Sequence, residues 1–184
     1  KVMHWCAKCE TALAKHEQEY RDIEDNSVFV KLKLKSKNDE YLIVWTTTPW
    51  TLAFNLAVMA NPKIDYVKAK VGKETWIVAQ DLAAPLITGL LNQKYKVIKI
   101  FKGKTLAGLE YIHPWSNDIK DFEVLKKKHA KIHTVVLSQD YVTLSAGSGL
   151  VHCAPGCGPE DYEVGYKNNL PAYNTTSESG IFPD

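Results

Sequence analysis

Hydrophobic and polar positions alternate with period two along much of this chain. Between Ser27 and Leu34, residues Val28, Val30, Leu32 and Leu34 alternate with Phe29, Lys31 and Lys33, which predicts a half-buried strand. Asn38 and Asp39 supply a turn. Tyr41 to Trp45 is then a dense β-forming run that ends at Thr46-Thr47-Thr48-Pro49, where proline stops a ladder. Leu56 to Met59, Tyr66 to Val71 and Thr75 to Val78 predict three short strands, and Lys96 to Phe101, Thr134 to Leu137 and Leu150 to Cys153 predict three more. Helices are fewer. Gln80 to Leu91 carries Leu82, Pro85, Leu86 and Leu90 near helical spacing, although Pro85 suits only a first turn. Asp118 to Lys128 predicts a second helix, and Gly158-Pro159-Glu160-Asp161 opens a third with proline early and acids in its first turn. Many short strands with few helices predict a mainly β domain with several helices, a barrel-like body. Residues 1–20, polar and cysteine-bearing, read as a linker arm, and residues 21–184 as the body it leads into.

Composition narrows this picture. A chain of 184 residues, 45% hydrophobic and 24% charged, is one domain that needs no disulfide staples to fold. These values exclude a disordered, collagenous or disulfide-scaffold protein. No apolar run reaches membrane-span length, so no membrane partner is expected. The chain opens at Lys1 with neither an initiator methionine nor a signal peptide, and reads as an internal piece of a longer cytoplasmic protein. The net charge of +2 is too mild for a protein whose main task is coating nucleic acid. Arg21 is the only arginine, so phosphate contacts must use lysine point charges. Lys126, Lys127, Lys128 and Lys131 form a basic cluster, read as a solvated face.

The cysteines fall into two unequal pairs. Cys6 and Cys9 have metal-ligand spacing, whereas Cys153 and Cys157 are one residue further apart than a zinc ribbon wants. The first pair is half a metal site or simply two reduced thiols. A ribbon made of all four is disfavoured by the unequal spacing.

Two segments carry candidate chemistry. Trp45-Thr46-Thr47-Thr48-Pro49-Trp50-Thr51 sets three consecutive hydroxyls at a strand end, donors and acceptors suited to a substrate rich in hydroxyls and carbonyls. A β-branched strand followed by a proline turn accounts for the same residues. Gly147 to Tyr162 runs through a glycine-flanked strand and a tight turn into a helix start. There Asp161 should stay ionised and could anchor an ammonium group, unless it only stabilises the helix. His152 and Cys153 are neighbours on a strand and point to opposite faces, so a cysteine–histidine dyad is geometrically poor. Ser148 lies in no nucleophile elbow, and Gly147-Ser148-Gly149 lacks phosphate-loop spacing. Hydrolysis here would depend on positioning water at an already reactive ester.

These segments resemble a known family. Trp45-Thr46-Thr47-Thr48-Pro49-Trp50-Thr51-Leu52, with Asn55 beyond, is similar to the threonine-rich peptide of isoleucyl-tRNA synthetase editing domains. Gly149-Leu150-Val151-His152 through Ala154-Pro155, Gly158 and Asp161-Tyr162 resembles the second editing motif of that family. Trp5-Cys6-Ala7-Lys8-Cys9-Glu10-Thr11-Ala12-Leu13 resembles the arm where this connective-peptide insertion leaves the synthetic core. Related valyl and leucyl enzymes place Arg-Pro-acid after the threonine pair, whereas Thr48-Pro49-Trp50 and His152 fit the isoleucyl branch. Ala53-Phe54 replaces the usual Pro-Ala, and Ser148 a usual threonine. His-Ile-Gly-His and Lys-Met-Ser-Lys-Ser, the aminoacylation signatures, are absent.

The resemblance implies a β-barrel-like editing domain and an aminoacyl-tRNA ester hydrolase, a fragment of an isoleucine–tRNA ligase. Its partners would be the acceptor end of the tRNA for isoleucine and the rest of the synthetase. A synthetic pocket cannot exclude valine by sterics. The isoleucyl enzymes as a family discriminate by about 150-fold, which calls for a second hydrolytic sieve acting on valyl-tRNA and on valyl-adenylate. By the resemblance, Asp161 binds the α-ammonium, and Thr46, Thr47 and Thr48 contact the amino acid, the terminal adenosine and water. His152 limits pocket size, Asn55 lies near the ester, Trp45 forms a wall, and Gly149 lines the substrate. Editing needs no cofactor. ATP belongs to the absent synthetic core, and Cys6 and Cys9 would be half of a zinc site completed beyond Asp184. The alternative is a catalytically silent insertion that docks RNA or serves structure alone.

Overall fold

The computed structural model describes residues 2–35 and 39–182, so Asn38 of the expected turn lies outside the described residues. Among the described residues eleven strands dominate: β1 (Trp5–Cys6), β2 (Thr11–Ala12), β3 (Val28–Leu34), β4 (Glu40–Thr46), β5 (Ala57–Ala60), β6 (Asp65–Val71), β7 (Glu74–Ala79), β8 (Tyr95–Lys102), β9 (Tyr111–Ile112), β10 (Thr134–Leu137) and β11 (Leu150–Cys153). Three α-helices accompany them: α1 (Gln80–Ala83), α2 (Asp121–Lys128) and α3 (Pro159–Lys167). The mainly β class predicted by the alternation is the class observed.

β4 is the hub of the main sheet. From Tyr41 to Thr46 it pairs antiparallel with β3 on one edge. The other edge is divided. β7 runs parallel to its first half, with Glu40 opposite Thr75, and β11 runs parallel to its last residues, with Val151 opposite Trp45. β11 continues antiparallel to β5, and β5 parallel to β10. β3 pairs with β9, and a single bridge between Glu110 and Thr134 joins that side to β10. The pairings therefore run round a curled ring, with β7, β6 and β8 leaving it at β4 as an arm. Leu32, Leu42, Val44, Val58, Val135 and Leu150 face one another in its core. Burying such side chains stabilises the fold by about 1.5–3 kcal/mol each. α2 and α3 cover the outer face through Phe122 and Val164 against Met59, Val136 and Cys153.

The helix expected over 80–91 is present but changes character. After four α-helical residues it widens into a π-helical turn, Ala84–Leu90, with Leu91 N–H on the Leu86 carbonyl at 3.1 Å. Pro85 is the reason, since it has no N–H for the fourth residue back. The N-terminal arm folds as a small hairpin of β1 and β2. Trp5 Nε1 donates to the Glu178 carbonyl at 2.7 Å, so the arm rests on the C-terminal stretch.

Candidate functional site

Because β4 and β11 are parallel neighbours, both threonine and histidine segments leave the sheet at the same end. That is where parallel strands commonly present ligand-binding loops. Thr46 is the last residue of β4 and is buried, and its Oγ1 accepts the Thr48 N–H at 3.1 Å. Pro49 does not simply end the strand. It opens a six-residue 3-10 helix, Pro49–Phe54, which proline at a first helical position favours. In a 3-10 turn residues i and i+3 eclipse, so Thr48 and Thr51 come together.

A line of polar groups results. Thr46 Oγ1 and Thr48 Oγ1 are 3.2 Å apart, Thr48 Oγ1 and Thr51 Oγ1 3.3 Å, and Thr51 Oγ1 and His152 Nε2 3.1 Å. Thr51 gives its single proton to the Thr48 carbonyl at 2.7 Å, so towards the imidazole it accepts. His152 thus carries its proton on Nε2, and its buried Nδ1 has no partner among the described residues. Burial holds the imidazole pKa down at about 4, which keeps it neutral at pH 7. Thr51 belongs to the threonine-rich segment but is not among the expected site residues. The signal that finds it is its i+3 spacing from Thr48 once a 3-10 turn is recognised.

Asp161 lies in the first turn of α3, and its Oδ2 accepts the Ala154 N–H at 3.1 Å. Ala154 follows His152 by two residues, so the carboxylate stands at the same strand end as the imidazole. The helix dipole alone would favour a low pKa. Burial outweighs it and lifts the carboxyl to about 6, with the Ala154 N–H opposing the rise and Glu160 adding to it. At pH 7 the group is still mostly ionised, as the sequence implied, but it is poised close to titration.

The remaining expected residues are placed differently. Thr47 is exposed between its neighbours. Trp45 alternates with Thr46 on β4 and faces the opposite side of the sheet. There it closes on Gly147, where a Cβ would lie 2.8 Å from the indole. Asn55 is wholly buried; its Nδ2 donates to the Ala57 carbonyl at 2.8 Å and its Oδ1 accepts from the Tyr111 hydroxyl at 2.5 Å. Gly149 has a left-handed φ of +75°, a Cβ there would meet Ala79 at 2.3 Å, and its carbonyl accepts from Tyr66 at 2.7 Å. Both residues hold the framework of the strand end together.

Behind the 3-10 helix lies an apolar cavity of about 200 Å³ between Val30, Leu32, Leu52 and Trp115. His113 forms part of its wall. It accepts the Trp115 N–H on Nδ1 at 3.1 Å, so Nε2 donates to the Leu52 carbonyl at 2.9 Å. His113 stacks on His133 at 5.0 Å, and burial lowers the two to about 4 and about 3.

Cys6 and Cys9 hold the tip of the β1–β2 hairpin. Backbone N–H from Cys9, then the Cys9 thiol, draw the Cys6 pKa down, while the contact with Cys6 raises that of Cys9. Among the described residues no group of three or more histidines, cysteines or acids could hold a metal ion. The four-cysteine ribbon is therefore not assembled.

No family model matches the chain. It is 47% identical over 188 residues to the isoleucine–tRNA ligase of Pyrococcus horikoshii, covering 99% of this chain and 17% of that protein. It is 45% identical over 195 residues to the isoleucine–tRNA ligase of Methanocaldococcus jannaschii, covering 99% and 18%. The chain thus spans about a sixth of the length of the curated relatives it matches. Among solved structures, GlLeuRS-CP1 superposes with a TM-score of 0.59 at 15% identity, over 80% of this chain and 66% of that one. The editing domain of the P. knowlesi cytosolic leucyl-tRNA synthetase gives 0.57 at 13%, over 79% and 67%. At such identities the likeness is one of fold.

Proposed function

Because the chain belongs to the isoleucyl-tRNA synthetase family, as its editing insertion, we propose that it hydrolyses the ester linking valine to the tRNA for isoleucine. The observation that carries this reading is the line of Thr46, Thr48, Thr51 and His152 at the strand end where Asp161 also stands, with the Thr51 hydroxyl giving its proton to the Thr48 carbonyl rather than to the imidazole. An ester is already activated, so orientation of water by hydroxyls can replace a strong base. Asp161, ionised at neutral pH, holds the α-ammonium by a charge-assisted contact. The threonine hydroxyls bind the ribose end and the attacking water. His152, neutral and fixed by Thr51, occupies the space that the extra methylene of isoleucine would need. Valyl-adenylate, with the same ammonium and an activated carbonyl, is a second substrate of the same site.

Partners in this reading are the acceptor end of that tRNA and the remainder of a longer synthetase. Among the described residues no helix is long and apolar enough to cross a membrane, and we place the protein in the cytoplasm. Cys6 and Cys9 would contribute half of a zinc site, the other two ligands coming from outside these 184 residues. The experiment is deacylation of valyl-tRNA and isoleucyl-tRNA by the chain. Release of valine in preference to isoleucine supports the reading, and release of neither leaves the silent docking insertion.

A further inference from the structure

The arm that leaves the ring carries a charge pattern the ester site does not use. Residues 63–104 hold nine lysines against three acids, a net +6, while the rest of the chain holds fourteen basic and eighteen acidic residues. In the register of β6 and β8, Lys68 stands opposite Lys99, and Lys70 opposite Lys96. Like charges directly opposite across antiparallel strands are destabilising. Here two such pairs lie on the same face of the ribbon, two residues apart on β6. The nearby acids do not relieve them all. Glu40 is bound to Lys68 at 2.6 Å, Asp39 to Lys33 at 3.0 Å, Glu74 to Lys31 at 2.8 Å and Asp65 to Lys102 at 2.8 Å. Among the described residues Lys70 is tied only to the Lys73 carbonyl at 2.7 Å, and Lys70, Lys73, Lys96 and Lys99 are exposed. A groove of about 530 Å³ runs over this face between Lys68, Lys70, Lys73, Thr75 and Ile98, and its two acids, Asp39 and Glu40, are the ones already paired with Lys33 and Lys68.

We propose that this face of the β6–β8 arm docks the phosphate backbone of RNA, about 20 Å along β4 from the site at its other end. RNA is identified on the strength of the proposed function; the need for a polyanion rests on the charge pattern alone. Protein–protein interfaces are depleted in lysine, whereas lysine point charges two residues apart on a strand suit successive phosphates. Contacts of this kind read no sequence. They add affinity that falls steeply with salt, and they would hold the body of the RNA while its ester end enters the site.

The test is a salt titration of uncharged-tRNA binding to the 184-residue chain, followed by fluorescence anisotropy. The variant is Lys70→Gln with Lys96→Gln and Lys99→Gln, and Lys127→Gln with Lys128→Gln is the comparison. The log–log salt slope of the triple variant should be smaller by about 2–3, with affinity lower by tenfold or more at low salt. Its melting temperature should equal or exceed the parent's, because like-charge pairs have been removed. An unchanged slope overturns the proposal, as does an equal change in the comparison variant. Displacement of RNA by polyglutamate as effective as by unlabelled RNA assigns the face to an acidic protein instead. Hydrolysis of valyl-adenosine, too short to reach the arm, should be the same in the triple variant and the parent. If the parent fails to hydrolyse that ester while the slope still changes, the proposed reaction falls and the RNA contact stands.

Discussion

The two ends of β4 are built on opposite electrostatic terms. At the Thr46 end the polar groups form one hydrogen-bonded line from the exposed Thr48 to the buried Thr46 and His152, and burial holds His152 neutral and raises Asp161 to about 6. At the Glu40 end lysine faces lysine, Lys70, Lys96 and Lys99 stand exposed, and Glu40 is already paired with Lys68. Short-range discrimination needs the first environment, because a methylene or an ammonium is read only by contact. Long-range attraction needs the second, since exposed like charges sum into a field. One continuous strand thus links a surface that could gather a polyanion to a pocket that could test what the polyanion carries.

The largest expected effect breaks the pocket side. Asp161→Ala should cut deacylation of valyl-tRNA by about 10- to 150-fold, the loss of a charge-assisted contact of about 1.5–3 kcal/mol. The fold should survive, because the substitution removes a carboxylate whose ionised form is penalised by burial. Parent-like rates in a single-turnover assay would sink the ammonium-anchor role. Salt dependence of RNA binding should stay as in the parent, which separates this end of β4 from the other.

The next effect concerns the sieve. On β11, His152 shares a face with Leu150 in the ring core, while Val151 and Cys153 turn outward. His152→Ala should open space for one methylene, so the variant begins to release isoleucine. The valine-to-isoleucine preference should fall by about tenfold to a few hundredfold. A histidine that merely fills the core would instead lower stability and slow both esters alike. Measuring both rates in one variant decides between these, and an unaltered ratio removes His152 from the sieve.

Much of this is legible in the sequence. The strands Thr134–Leu137 and Leu150–Cys153 fall where the alternation puts them, because alternation reports burial on one face directly. The two motifs name Thr46, Thr48, His152 and Asp161, and the parallel pairing of β4 with β11 is what sets them at one strand end. What the sequence hides is long-range or conformational. Pro49 reads as a strand terminator and proves to start a 3-10 helix, which is why the sequence does not reveal Thr51 as the hydrogen-bond partner of His152. Asn55, expected near the ester, is buried and tied to the Tyr111 hydroxyl, a partner 56 residues away that the sequence does not reveal. The lysines facing each other across β6 and β8 are invisible until the register is known. A helix start likewise suggests a low pKa for Asp161, whereas the burial that raises it, against the Ala154 N–H, is a tertiary effect.

A pH profile sharpens the comparison. If ionised Asp161 holds the ammonium, kcat/KM for valyl-tRNA should fall about tenfold per unit below a break near pH 6. The valine-to-isoleucine ratio should stay flat from pH 5 to 8, because His152 does not titrate until about 4. Stability limits the acid side. His113, His133 and His152 have folded pKa values depressed below 6.5, so their contribution is fully present above pH 6.5 and is lost as pH falls towards 4 and 3. Asp161 works in the other direction. Its folded pKa is raised from 3.8 to about 6, so it favours the fold more as pH falls through that window. Rates should therefore be read with circular dichroism at each pH. A break near pH 4 would mean either that Asp161 titrates as an ordinary carboxyl, not raised by burial, or that His152 is the group being read.

The smallest effect lies on the arm and has an unusual sign. Most exposed substitutions change stability by less than about 0.5 kcal/mol in either direction. Lys96→Glu replaces a lysine that faces Lys70 across the ladder with a residue of opposite charge. Cross-strand pairs are worth about 0.2–1 kcal/mol, so the variant should be more stable than the parent by a few tenths, a rise in Tm of about 1–2 °C. Lys31→Gln is the matched control, because it removes a lysine that is paired with Glu74 at 2.8 Å on the same sheet. That pair is partly exposed, so its loss should leave Tm unchanged or slightly lower. Opposite signs for the two substitutions, measured at low salt and converging at high salt, would mean that Lys96 is held at that position against the interest of folding. A lower Tm for Lys96→Glu would mean that the lysine pairs are structurally tolerated, and the reason for seeking a bound anion on this face would disappear.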